Sequence, residues 1–161
     1  MIGTTLQAQK AVVMKFSDLR NFNNGNRAKA EGTYYEWLFM TECLNRGLHP
    51  HDTVGDYLPH DLIVMNDGGK LFKVQVKGTR HGRVQGGRQR FEVTIGRGRE
   101  KYRTDEHMVD IYAFHVYKHN QWYIMPFKSV NTATVRFYPE TIGKTKSYTQ
   151  KYLDNWDCFN A

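Results

Sequence analysis

Asp61-Leu-Ile-Val-Met-Asn-Asp-Gly-Gly-Lys-Leu-Phe-Lys-Val-Gln-Val-Lys77 reads as a β-hairpin. Two β-rich runs, 61–65 and 71–77, flank a turn rich in Asn, Asp and Gly. A three-residue loop, Asp67-Gly68-Gly69, pairs residue 66 with residue 70 and sets Asp61 opposite Gln75. It also stacks Leu62 on Val74 and Val64 on Phe72, on one apolar face. A two-residue loop would pair Asp61 with Val74 and turn it away from Gln75. Three-residue loops with Gly in the left-handed position are common, and this one keeps the apolar face intact, so it is the expected register. Residues directly opposite have Cβ atoms about 4.5–5.5 Å apart, close enough for two oxygen ligands on one metal. Gln75 and Lys77 are two apart and share a face. Phe72, Val74 and Val76 take the other face, which reads as core.

Upstream, residues 29–46 follow a helical period. Tyr34, Trp37, Leu38, Thr41 and Leu44 make an i, i+3, i+4, i+7 stripe. Gly47 stands where a left-handed cap is expected. Asn21 to Asn26 is turn-like and closes an N-terminal arm. A Pro- and His-containing connection covers 48–60. Its His49-x-His51 pair would suit zinc, but no Cys pair accompanies it. Downstream, 78–90 is rich in Gly and Arg and reads as a loop. Residues 90–95 alternate as a strand. Residues 110–117 and 122–127 form a second hairpin, turning at 118–121, and 134–138 is a further strand. Residues 148–159 read as a C-terminal helix. Helix, then sheet, then helix is the order of an α/β or α+β domain.

The charge is concentrated. The whole chain of 161 residues carries a formal +7. Between Lys70 and Arg103 there are eleven Lys or Arg against two acids, Glu92 and Glu100. That segment carries +9, which leaves the remainder slightly acidic. A basic segment of this density is the electrostatic footprint of a nucleic-acid binder. Aromatic content of 14% excludes a largely disordered chain. No apolar run approaches the roughly 20 residues of a membrane span. The first fifteen residues lack a signal-peptide pattern. The two cysteines, Cys43 and Cys158, are expected as free thiols in a cytoplasmic protein. One domain is expected over 1–161, with an arm at 1–28, a core at 29–127 and an extension at 128–161.

Three segments in order carry a resemblance: Lys29-Ala-Glu-Gly-Thr-Tyr-Tyr-Glu36, Asp61-Leu-Ile-Val64 and Val74-Gln-Val-Lys77. Together they resemble the PD-(D/E)XK nuclease superfamily. Within it, the chain is most similar to the group I intron-associated homing endonucleases, whose core design resembles that of archaeal Holliday junction resolvases. Lys101-Tyr102, Asp110-Ile-Tyr-Ala-Phe114 and Trp122-Tyr-Ile-Met-Pro126 extend the likeness. Two positions depart from the superfamily pattern. Gln75 stands where most members have Asp or Glu, as it does in the intron-associated group. His60 precedes Asp61, with Pro59 one position early.

The resemblance implies an α/β, restriction-endonuclease-like core: a central mixed β-sheet flanked by helices. It implies a DNA endonuclease with Glu36, Asp61, Gln75 and Lys77 as catalytic residues. Asp61, Gln75, the Val76 carbonyl and Glu36 would hold Mg²⁺, with Mn²⁺ as a substitute. Oxygen ligands suit such hard cations. Lys77 would orient or help deprotonate the attacking water, or offset charge on the phosphate. Arg80, Arg83, Arg88, Arg90, Arg97, Arg99, Lys101 and Arg103 would contact DNA. Cutting both strands needs two sites, so a homodimer or homotetramer is implied. Two alternatives are a Holliday junction resolvase and a non-catalytic DNA-binding domain on a nuclease fold. The neutral Gln75 favours the last. The joint presence of Glu36, Asp61 and Lys77 speaks against it.

Overall fold

The computed structural model describes residues 24–55, 57–95, 107–141 and 147–160. Among the described residues there is one α-helix, α1, spanning Asn24–Asn45. It begins inside the segment expected as a turn, because Asn and Gly, poor in mid-helix, are tolerated in its first positions. Its end follows the expectation. Gly47 has φ +72°, and the Leu48 and Gly47 amides return to the Cys43 and Leu44 carbonyls at 2.9 and 3.2 Å. This is a Schellman cap. The buried stripe is rotated from the expected one. Tyr35, Phe39 and Cys43 form the spine, with Tyr34 and Leu38 at its border. Trp37 and Leu44 are 68% and 65% exposed. Apolar side chains occur on every face between Tyr34 and Met40, so period alone does not select a stripe.

Eight strands follow: β1 His49–Asp52, β2 Leu62–Met65, β3 Leu71–Thr79, β4 Gly82–Gln85, β5 Arg88–Thr94, β6 Ile111–Val116, β7 Gln121–Pro126 and β8 Thr134–Phe137. A five-stranded sheet has the order β1-β2-β3-β6-β7. The β3–β6 pair is parallel and the others antiparallel, so the sheet is mixed, as expected. The β2–β3 hairpin takes the three-residue loop: Leu62 pairs with Val74 and Val64 with Phe72. Asn66 N–H donates to Lys70 O at 3.0 Å, and Gly69 supplies the left-handed φ of +79°.

Two cores sandwich this sheet. On one face, Tyr35, Phe39 and Cys43 of α1 pack on Leu62, Val74, Val76 and Ile124. On the other, Tyr112, Phe114 and Met125 pack on Phe91, Val93, Val135 and Phe137 of a second sheet, ordered β4-β5-β8. Strand β6 faces both cores, which is why all six of its residues are buried. Among the described residues one face is covered by a helix and the other by a sheet, rather than both by helices.

Two local expectations are corrected. Residues 78–90 are not a loop. They complete β3, form β4 and open β5 around a tight turn at Gly86 and Gly87, with φ of +58° and +74°. Two glycines at positive φ are the signature of a two-residue hairpin turn. The C-terminal helix is also absent. Gln150–Tyr152 and Trp156–Asn160 are 3₁₀ turns, separated by a bridge from Leu153 to Tyr123. Asp154 takes φ +48° and donates its N–H to Trp122 O at 2.8 Å. The edge of β7 captures the chain there, and a left-handed residue ends any helix.

Candidate active site

The antiparallel register brings Asp61 beside β3, and hydrogen bonds hold it there. Its N–H donates to Val74 O at 2.9 Å. Its Oδ2 accepts the Val76 N–H at 2.7 Å, in the place a strand carbonyl would take. Its own carbonyl accepts from Thr53 Oγ1 at 2.9 Å. The carboxylate is therefore fixed against the backbone between Gln75 and Lys77.

Glu36 arrives from α1 by a close approach. Tyr35 packs its ring directly on Gly78; a Cβ at Gly78 would stand 2.3 Å from that ring. Gly78 follows Lys77 in the chain, and Glu36 follows Tyr35. The contact thus sets the helical acid near the strand lysine. Glu36, Asp61 and Lys77 line one cleft of about 440 Å³. Residues that the sequence reading did not assign also line it: Lys29 and Thr33 from α1, Asp52 from β1, and His60. Asp52 carried no signal, because β1 is four residues of His-Pro-His-Asp. His60 is buried, and its Nδ1 lies 3.0 Å from Met108 O.

Gln75 is not among the residues lining the cleft. It is 3% exposed. Its Nε2 donates to Pro59 O at 2.6 Å, and its Oε1 is buried without a hydrogen-bond partner among the described residues. An orphaned buried acceptor costs about 1–3 kcal/mol. A cation would satisfy it. Among the described residues no three of His, Cys, Asp and Glu converge closely enough to hold a metal ion by themselves. A metal here would rest on two carboxylates, Asp61 and Glu36, with the neutral oxygens of Gln75 and Val76. That all-oxygen set fits Mg²⁺. His49 and His51 are both exposed, and His49 Nε2 lies 3.3 Å from Asp67 Oδ1.

The expected DNA-contacting residues divide. Arg80 is enclosed: its side chain is 14% exposed, with Nε 3.6 Å from Glu31. Its guanidinium lies 3.9 Å from the Tyr117 ring centre and 5.6 Å from that of Tyr34. Arg83 and Arg88 are exposed on β4 and β5. Arg90 bonds Gln85 and sits 3.4 Å from Glu92. Arg97, Arg99, Lys101 and Arg103 lie outside the described residues.

Residues 26–159 match the family model described as PD-(D/E)XK endonuclease. No curated protein matches the chain. Among solved structures, a bacterial homing endonuclease, I-Ssp6803I, is similar with a TM-score of 0.65 and 21% identity, over 80% of this chain and 89% of that one. The Holliday junction resolvase Hjc from Archaeoglobus fulgidus, an archaeal hyperthermophile, gives a TM-score of 0.44 and 11% identity, over 68% of this chain and 85% of that one. The first likeness establishes a shared fold.

Proposed function

The chain belongs to the PD-(D/E)XK endonuclease family, and from that premise we propose that it is a Mg²⁺-dependent DNA endonuclease of the site-specific homing type. One observation carries the reading. Glu36, Asp61 and Lys77, far apart in sequence, line a single cleft, and Gln75, two residues before Lys77 on β3, has a buried oxygen with no hydrogen-bond partner among the described residues. A binding module has no use for acids held close to phosphate.

Asp61 and Glu36, with Gln75 Oε1 and the Val76 carbonyl, would hold the ion. When bound, Mg²⁺ polarises a phosphoryl oxygen and makes water a better nucleophile. Lys77 places its ammonium where it can donate to a nonbridging phosphate oxygen or orient the incoming water. The Asp61–Val76 bond keeps the carboxylate from turning away during the reaction. Gln75 supplies an oxygen without charge, so the site holds its cation less tightly than a three-carboxylate site would. One cleft cuts one strand, so a symmetric dimer or tetramer is part of the reading.

The test places a synthetic four-way junction beside a library of linear duplexes, each with Mg²⁺ and with chelator. Mg²⁺-dependent cutting of a few duplexes at one sequence is expected. Lys77→Ala should abolish it while leaving duplex affinity within about twofold, because general acid–base and charge terms of about 10²–10⁴ act on the chemical step. Cutting of the junction alone would make the protein a structure-selective resolvase. Binding without cutting would make it a non-catalytic domain.

A further inference from the structure

We propose that the tip of the β4–β5 hairpin is a sequence-reading β-ribbon that lies in the major groove of duplex DNA, with Arg83, Gln85 and Arg88 meeting base edges; this rests on the endonuclease reading above. In the hairpin register, Arg83 pairs with Arg90 and Gln85 with Arg88, so all four share one face. Gly82 with Phe91 and Val84 with Gln89 take the other. Phe91 is fully buried in the core, so its face turns inward and the arginine face turns outward. Glu92 of β5 and Arg136 of β8 continue that outward face.

The tip from Val84 to Arg88 extends past the paired part of the second sheet, and at its base Lys118 Nζ donates to Gln89 Oε1 at 2.8 Å. Strand β8 pairs with β5 only from Phe91 to Thr94, so residues 83–90 are a two-stranded ribbon. Val84, on the inward face near the tip, is 75% exposed. The turn at Gly86 and Gly87 carries no side chains to obstruct entry into a groove. A major groove about 12 Å wide admits a two-stranded ribbon.

Charge points the same way. Directly opposite like charges destabilise a strand pair, and Arg83 faces Arg90. Glu92 is engaged by Arg136 at 2.9 Å and by Arg90 at 3.4 Å. Arg83 and Arg88 have no carboxylate within ion-pair distance among the described residues. Such a ribbon is relieved by a polyanion. Arg also matches guanine O6 and N7 with two donors, and Gln matches adenine N6 and N7. The ribbon is joined to the cleft by a short connection: β3 carries Lys77, and Gly82 opens β4 only five residues later. Arg80, held by Glu31 and Tyr117 between them, stiffens that connection.

The experiment uses the full chain and a randomised linear-duplex pool, enriched by binding in chelator. The enriched duplex is then made with 7-deazaguanine, which lacks the major-groove N7. Arg83→Lys and Arg88→Lys keep the charge and remove the paired donors. Each should lose about tenfold or more of affinity for the enriched duplex and keep affinity and salt slope on random duplex. With 7-deazaguanine only at the guanine that one arginine reads, the duplex should reproduce that loss for the native chain and add none to the variant lacking that arginine. Equal weakening on enriched and random duplexes, or indifference to 7-deazaguanine, would overturn the ribbon as a reader and leave phosphate contact. Cleavage separates the two readings. A native chain that cuts one sequence while the variants discriminate as before defeats the ribbon alone. A native chain that binds one sequence through these residues but never cuts defeats the endonuclease reading alone.

Discussion

At the scale of single residues, the β2–β3 register was legible because a three-residue glycine loop and an apolar face both demanded it; Asp61 lies just outside that ladder, its N–H on Val74 O and its carboxylate on Val76 N–H. What the sequence did not disclose was the state of Gln75: buried, half-bonded, with one oxygen unsatisfied. That oxygen makes a prediction. Gln75→Glu adds a charge to the proposed ion site and should lower the Mg²⁺ concentration needed for half-maximal cleavage, whereas Gln75→Ala should raise it. Titration of Mg²⁺ binding by calorimetry reads this directly, and an unchanged midpoint in both would remove Gln75 from the ion's ligands. His60 and Asp52 were missed because their importance is positional. Only the fold carries Asp52 to the cleft, whereas His60 reaches it as the neighbour of Asp61. His115 gives a separate expectation. Burial, joined by nearby Arg80 and opposed by the Asn120 hydrogen bond, pushes its imidazole down to about 4. The unfolded chain takes that proton near 6.5. Between these values the unfolded state binds more protons, so stability is lost as pH falls from about 6.5 to 4, by roughly 3 kcal/mol in all. His115→Phe should flatten this part of the profile in denaturant melts at pH 7 and 4.5. A slope equal to that of the native chain would contradict the assignment.

At the scale of elements, the decisive contact is between α1 and the end of β3. The sequence announced a helix and a strand but not which helical face meets the sheet. Aromatic residues at Tyr34, Tyr35, Trp37 and Phe39 left several stripes of equal merit. Gly78 breaks the tie, since only a residue without a Cβ admits Tyr35 so closely. Gly78→Ala should therefore destabilise the protein by about 1–3 kcal/mol through overpacking. Because the same contact sets Glu36 near Lys77, it should also slow cleavage in the fraction that remains folded. Denaturant melts beside single-turnover cleavage check both parts. A stable variant with native rates would mean that the helix is positioned by other contacts. Strand β4 and the start of β5 were hidden for a different reason, although 90–95 was read as a strand. The glycines and arginines of 78–90 suit a loop in composition, and no apolar alternation there advertised a strand. The C-terminal turns were hidden because capture by the edge of β7 and a left-handed Asp154 override a helical pattern.

At the scale of the molecule, one mixed sheet is packed by a helix on one side and a smaller sheet on the other. The order of segments was enough to anticipate the restriction-endonuclease-like core, because the three main segments fall in turn on α1, on β2 with the residue before it, and on β3. It could not anticipate the second sheet, whose strands come from 82–94 and 134–137 and pair across a long separation. That sheet holds the exposed Arg83, Arg88 and Arg136, while the five-stranded sheet and α1 hold the cleft. In the proposed division, reading and cutting fall to different layers joined through β3. The claim on which this division depends is that the cleft hydrolyses phosphodiester bonds with a divalent ion. The most direct measurement is duplex cleavage by the native chain and by Asp61→Asn, which keeps an acceptor for the Val76 N–H but removes the charge. The native chain should cut with Mg²⁺ and not with chelator, and Asp61→Asn should bind the same duplex yet leave it whole. Cutting that persists in chelator, or at the native rate in Asp61→Asn, would contradict it.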